Sequence, residues 1–147
     1  MASAKRTLLL ALTLMLSGRA MTLAFISRAG GGAVGDPPAA WLMPLVGDAV
    51  IGVTALFIAY LIWRRVGLFA WTAILVWNVV AIWDAFSAFL IHQSVPWPTF
   101  FMTEIFGSSM FFVAAAMHGL CLVLVASSDG RAHFLGPASR NATPSLA

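Results

Sequence analysis

The sequence predicts an all-α integral membrane protein, a bundle of four transmembrane helices with both termini in the cytoplasm. Hydrophobic residues make up 61% of the chain and charged residues only 9%, whereas soluble proteins contain about 25% charged residues. Four stretches reach the roughly 20 apolar residues that a membrane-spanning helix needs. None of these stretches shows the short alternating pattern that is typical of a transmembrane β-barrel.

The predicted spans cover residues 7–27, 41–63, 67–92 and 100–126. Together they form a transmembrane domain over residues 1–127, followed by a polar cytoplasmic tail over residues 128–147, which we expect to be disordered. The connection 28–40 is rich in glycine and proline, which favours an irregular external loop. Two prolines flank Trp97 in the connection 93–99 and predict a tight external turn.

Basic residues set the predicted orientation. Only Arg28 lies on the side opposite the termini, while six basic residues lie on the same side as the termini: Lys5, Arg6, Arg64, Arg65, Arg131 and Arg140. The positive-inside rule therefore places both termini in the cytoplasm. This topology accounts for the basic pI, and no nucleic-acid recognition motif accompanies it. We expect the lipid bilayer, and no nucleic acid, to be a partner.

A second interpretation of the amino-terminal segment stays open. Residues 1–20 have a basic start, an apolar stretch and small residues at Gly18 and Ala20, as a secretory signal peptide does. Cleavage there would remove Arg19 and leave three spans. Because the chain becomes apolar again immediately after Ala20, we favour an uncleaved first helix.

Charged residues inside the apolar stretches are the main indication of a site, since they are costly in a bilayer and usually face protein or water. Arg19 lies 8 residues below the outer end of the first span, Asp48 lies 7 below that of the second and Asp84 lies 8 below that of the third. At 1.5 Å per residue, all three are about 10–12 Å deep, and Ser108 of the fourth span shares this level. We therefore predict a buried polar cluster of Arg19, Asp48, Asp84 and Ser108.

Two interpretations of this cluster remain open. An ion-pair network of this kind reduces the cost of burying its members and holds helices in register. Alternatively, the cluster forms the floor of a polar pocket that opens to the outer face, with His92 and Glu104 at its mouth. His92 is also consistent with an ordinary interfacial residue, and Glu104 with a carboxylate that stabilises the first turn of the fourth span.

Asn78 and His118 form a possible second polar site. His118 lies near the inner end of the fourth span, away from the acidic residues, and we expect a neutral imidazole hydrogen-bonded to another helix. Asn78 is about 120° from Asp84 around the third span, which points it towards a different neighbour. A haem with two histidine ligands is not expected, because His92 and His118 lie at different depths.

Several chemistries find no support in the sequence. Cys121 is the single cysteine, so no dithiol couple forms within one chain. The sequence contains no Cys/His metal-binding spacing, phosphate-binding glycine loop or nucleophile elbow. We therefore expect no cofactor and no metal.

One resemblance involves the second and third spans. The segment from Pro44 through Gly47 and Asp48 to Gly52, followed by Trp77, Asn78 and Asp84, resembles a group of small bacterial four-helix inner-membrane proteins. It covers about residues 41–98. The resemblance implies the bacterial plasma membrane and no particular chemistry. Small multidrug exporters fit less well, since they carry an essential glutamate in the first helix, where this chain has Arg19.

Three functions are consistent with these features. The first, which we favour from the sequence, is an accessory or assembly subunit of a larger membrane complex, because the chain is small and lacks catalytic motifs. The second is a small oligomeric transporter or channel that uses Arg19, Asp48 and Asp84 to bind protons, cations or a small polar solute. The third is an intramembrane enzyme in which His92 and Glu104 act as base and acid.

Overall fold

The computed structural model describes Met1 and residues 3–30, 38–64, 66–96 and 105–136. Throughout these residues the regular structure is helical, which confirms the predicted all-α class. The α-helices are α1 (Ser3–Leu16), α2 (Leu23–Gly30), α3 (Leu42–Arg64), α4 (Leu68–Ser94), α5 (Ser109–Ala126) and α6 (Ser128–Leu135). Two 3-10 helices, Ser17–Thr22 and Pro38–Trp41, precede α2 and α3.

Four stretches are long and apolar enough to cross a membrane. These are Ser3–Ile26, Ala39–Arg64, Leu68–Ser94 and Ser109–Ala126. Four helical stretches thus correspond to the four predicted spans, and within the described residues the last of them starts later than predicted. It was predicted to begin at residue 100, whereas α5 begins at Ser109, after a turn in which Gly107 has a φ of 54°.

The first apolar stretch is not one continuous α-helix, because the 3-10 helix Ser17–Thr22 separates α1 from α2. Two side chains in this segment bond to nearby carbonyl groups, Ser17 Oγ to Leu14 O and Thr22 Oγ1 to Arg19 O. Hydroxyl groups that compete for the backbone in this way disturb regular α-helices. Thr22 Oγ1 also lies 3.2 Å from Leu45 O, which ties the segment to α3.

The helices pack around two apolar clusters. The larger one joins α1, α3, α4 and α5, and its fully buried members include Leu9, Ile62, Ile74 and Val125. The smaller one surrounds Trp41, Leu45, Ala88 and Phe111. Two tryptophan side chains connect elements across these clusters. Trp41 Nε1 donates to Val95 O, and Trp71 Nε1 donates to Val125 O. The core therefore positions all four spans against one another.

The first part of the predicted disordered tail is helical, because residues 128–135 form α6, while residues 137–147 lie outside the described part of the chain. Ser127 caps this helix by accepting a hydrogen bond from Gly130 N at 3.1 Å. Phe134 is 1% exposed and belongs to the larger apolar cluster. One buried aromatic residue and one helix cap thus order a segment whose composition is mostly polar.

Candidate functional site

Arg19 joins two carboxylates that come from different helices. Its Nε donates to Asp48 Oδ1 of α3 at 2.5 Å, and its Nη2 donates to Asp84 Oδ2 of α4 at 2.5 Å. Nη2 also forms an ion pair with Asp48. The structure thus brings together three of the four residues of the predicted polar cluster. We call Arg19, Asp48 and Asp84 the charge cluster.

Two glycines of α3 make room for the charge cluster. A methyl group at Gly52 would overlap the backbone of Arg19 and Ala20, so only glycine lets the 3-10 helix lie this close to α3. A methyl group at Gly47 would overlap Asp84 Oδ1, so this position admits the carboxylate of α4. Small residues that permit close helix approach are frequent at membrane helix interfaces. Here they create the space in which opposite charges meet.

His118 extends the charge cluster towards the centre of the bundle. Its Nε2 lies 3.2 Å from Arg19 Nη1, and its Nδ1 lies 2.9 Å from Asn78 Oδ1. Asn78 Nδ2 donates to Ile74 O at 2.8 Å, which identifies Oδ1 as the acceptor towards His118. His118 Nδ1 therefore carries the proton, and Nε2 accepts a hydrogen bond from Arg19. The imidazole is neutral in this arrangement.

Aromatic and hydroxyl groups enclose this network. The ring of Trp77 meets that of His118 edge to face, with 4.9 Å between the centroids. Trp77 Nε1 donates to Thr54 Oγ1 at 3.0 Å, and Thr54 donates to Val50 O of its own helix at 2.6 Å. Within the described residues, every buried side-chain nitrogen and oxygen has a hydrogen-bond partner. The fully buried polar atoms of the network therefore all have partners.

The charge cluster has unequal numbers of positive and negative groups. One guanidinium faces two carboxylates, and His118 adds no charge as a neutral tautomer. Ionised, the three groups carry a net charge of −1 (one positive and two negative charges). The side chain of Arg19 is 11% exposed, that of Asp84 15% and that of Asp48 28%. The carboxylates are therefore more accessible than the base that links them.

The remaining predicted site residues lie elsewhere. Ser108 is half-buried in the turn before α5, and its described contacts do not include the charge cluster. His92 packs beside Trp41 and Phe111, with ring centroids 6.1 and 5.4 Å from its own. Glu104 lies outside the described residues. Of the expected pocket mouth, His92 is therefore half-buried against two rings of the smaller apolar cluster, and the placement of Glu104 is not described.

His118 is the residue that the sequence interpretation placed wrongly. It was assigned to a level away from the acidic residues, yet it contacts Arg19. The cause is the start of the fourth span: counted from Ser109, where α5 begins, His118 is 9 residues deep and shares the level of the charge cluster. Asn78, which was expected to face a different neighbour, reaches the cluster through His118.

Among the described residues, no three His, Cys, Asp or Glu side chains are grouped closely enough to hold a metal ion. Comparisons of the chain with protein-family models, curated protein sequences and solved structures found no match. The geometry of the charge cluster is therefore the basis for assigning a function.

Proposed function

We propose that this chain is a transport protein that binds a proton or a small cation at the charge cluster. In this proposal it is a multi-pass protein of the bacterial plasma membrane, with both termini in the cytoplasm. The observation that supports this proposal is the unequal charge of the cluster. Two carboxylates share one guanidinium in a bundle whose outer surface is apolar.

Burial makes the extra negative charge expensive. A charge in an apolar interior loses its hydration, and a single opposite charge compensates one carboxylate better than two. A proton or cation bound at either carboxylate neutralises the cluster and removes this cost. Asp48 is the more exposed of the two acids and is the expected point of entry. Reversible occupation of such a site is what proton- or cation-coupled transport requires.

The accessory-subunit function remains the main alternative. A hydrogen-bonded network of this kind can also serve only to fix the positions of helices. The two functions differ in what the carboxylates must do. Helix packing requires only a side chain at position 84 that has the size of aspartate and accepts a hydrogen bond. Ion binding requires a side chain at this position that carries a negative charge.

The test is a flux measurement in liposomes that contain the purified protein. We expect Asp84→Asn and Asp48→Asn to fold but to lose most proton or cation uptake, because the amide keeps the size of the side chain and removes its charge. Asp129→Asn is the matched control: Asp129 also pairs with a base, Lys5 at 2.6 Å, but lies outside the four spans. Uptake that is unchanged in both cluster variants would refute the transport proposal.

Purification from the native membrane in mild detergent addresses the subunit alternative. A transporter is expected to be recovered alone, as a monomer or a small homo-oligomer. Stoichiometric recovery with a larger complex, together with normal uptake by the Asp84→Asn variant, would instead establish an accessory subunit. A third function, an intramembrane enzyme, depends on Glu104, which lies outside the described residues.

A further inference from the structure

A groove of about 400 Å³ runs along the outer side of the seam between α3 and α4. Its walls are apolar and include Met43, Val50 and Ile51 from α3 and Val80, Trp83 and Ile91 from α4. The span from Val80 to Ile91 corresponds to about 16 Å of helix. The groove is therefore elongated along the two helices, and the exposed side chains of Met43 and Trp83 place it at the outer surface of the bundle.

Asp84 lines this groove and brings the charge cluster to its wall. Oδ2 accepts from Arg19, whereas Oδ1 rests against Gly47, which also lines the groove. Among the described residues, no hydrogen bond ends on Oδ1. A ligand in the groove would thus meet apolar walls and one carboxylate whose cluster carries a net negative charge.

We propose that the groove between α3 and α4 binds a hydrophobic cation, an amine or quaternary ammonium ion with an apolar tail. The inference rests on the net charge used in the proposed function and names the class of ligand that the same site would take. The apolar walls match the tail, and the positive head neutralises the charge cluster. Trp83, which is 75% exposed, also lines the groove, and an aromatic ring there favours a cationic head.

Charge complementarity separates this ligand from the lipids that surround the protein. Asp84 lies 10 residues from the outer end of α4, which is about 15 Å along the helix. The zwitterionic headgroup of a phospholipid would have to leave the interface to reach that depth. A lipid acyl chain can enter the groove, but it does not neutralise the negative charge of the charge cluster. A cation with a single tail can satisfy both parts of the groove.

The test is equilibrium binding of three probes that share a twelve-carbon tail, with the protein in phosphatidylcholine nanodiscs and empty nanodiscs as background. The probes are dodecyltrimethylammonium, dodecyl maltoside and dodecyl sulfate. We expect saturable binding of the cation and affinities at least about tenfold lower for the neutral and anionic probes. Equal affinities for all three would show an acyl-chain groove and overturn the proposal.

Two neighbouring valines supply a matched pair of variants. Val80 lines the groove and is 52% exposed, while Val79 is 55% exposed and does not line it. We expect Val80→Trp to fill the groove and lower the affinity for dodecyltrimethylammonium about tenfold or more, and Val79→Trp to leave it unchanged. Equal affinities in the two variants would place the probe elsewhere and refute the groove. This pair keeps the test decisive if changes at Asp84 impair folding.

Asp84→Asn separates this inference from the proposed function. We expect the variant to bind the cationic and neutral probes with similar affinity. If the variant loses ion uptake and the wild-type protein shows no preference for the cationic probe, only the hydrophobic-cation inference fails. If uptake is unchanged while the preference depends on Asp84, only the transport proposal fails.

Discussion

Arg19 directs three edges of its guanidinium group towards three different helices. Nε and Nη2 meet the carboxylates of α3 and α4, and Nη1 meets His118 of α5. A planar group with five fixed donors suits this role better than a lysine ammonium, which has three donors on one nitrogen. Arg19 therefore connects all four spans at one level.

Removing Arg19 alone should be worse than removing every charge of the cluster. We expect Arg19→Met to destabilise the protein by about 3–5 kcal/mol, because two buried carboxylates lose their partner. The triple variant Arg19→Met/Asp48→Asn/Asp84→Asn should recover at least half of that loss. Thermal unfolding in detergent measures both. A triple variant as unstable as Arg19→Met would show that packing of the arginine, and not its charge, matters.

The protonated nitrogen of His118 is a second prediction at the scale of single residues. Nitrogen NMR of labelled imidazole should find the proton on Nδ1, with Nε2 accepting from Arg19, because Asn78 Oδ1 accepts at Nδ1. Asn78→Leu should remove this preference and cost about 1–3 kcal/mol by leaving a buried donor without a partner. A proton on Nε2 in the wild-type protein would contradict the network.

Among the elements, the 3-10 helix Ser17–Thr22 decides whether the charge cluster forms. It carries Arg19, and it lies against α3 only because Gly52 has no side chain. The spacing between these two elements therefore depends on a single missing methyl group.

Gly52→Ala should push the 3-10 helix away from α3. We expect a loss of about 1–3 kcal/mol, since the methyl group would overlap backbone atoms that cannot rotate aside. Gly119→Ala in α5 is the control, because nothing lies within 4 Å of the added methyl group. The unfolding temperatures of the two variants give the comparison. Equal temperatures would show that the close approach is not required.

The ends of elements explain which parts of the site were predictable from the sequence. The first three span ends were close enough for a depth count to place Arg19, Asp48 and Asp84 together. In the fourth span, the continuous helix α5 begins at Ser109 rather than at the predicted residue 100, after a turn at Gly107 that hydropathy does not reveal. That error added Ser108 to the cluster and left His118 out of it. The 3-10 helix was also not predicted, since hydropathy does not depend on helix type.

For the whole molecule, α6 closes the end of the bundle where the predicted cytoplasmic side lies. Gly67 N donates to Phe134 O at 2.6 Å, which links α6 to the start of α4. Lys5 pairs with Asp129 at 2.6 Å, which links α6 to α1. The hydrogen bond from Lys5 lowers the pKa of the exposed Asp129 carboxyl. The ends of three elements are thus joined at one end of the four apolar helical stretches.

The contacts of α6 with the rest of the bundle should make the stability of the protein depend on pH. Burial, followed by nearby positive charges that include Arg6, lowers the pKa of the His133 imidazole from its usual 6.5. The folded protein therefore binds this proton more weakly than the unfolded chain. The stability that results is complete above pH 6.5 and is lost as the pH falls below it towards the folded pKa.

We expect the unfolding temperature to fall between about pH 7 and about pH 5, and to fall less in His133→Gln. The variant Asp129→Asn should keep the decrease over this range, because the lowered pKa of Asp129 acts only at more acidic pH. A His133→Gln profile that matches the wild-type profile would assign the decrease to other groups.

The 3-10 helix also changes the direction in which the first span faces. Each of its six residues turns the chain by about 120°, against about 100° in an α-helix, so the segment adds about 120° of rotation. The part of the span after this segment is consequently rotated by about a third of a turn from the position that a single helical wheel drawn through residues 3–26 would give it. Crosslinks between α2 and its neighbouring helices should match a helical wheel rotated by this angle. Crosslinks between α1 and its neighbours should match the wheel of an uninterrupted α-helix.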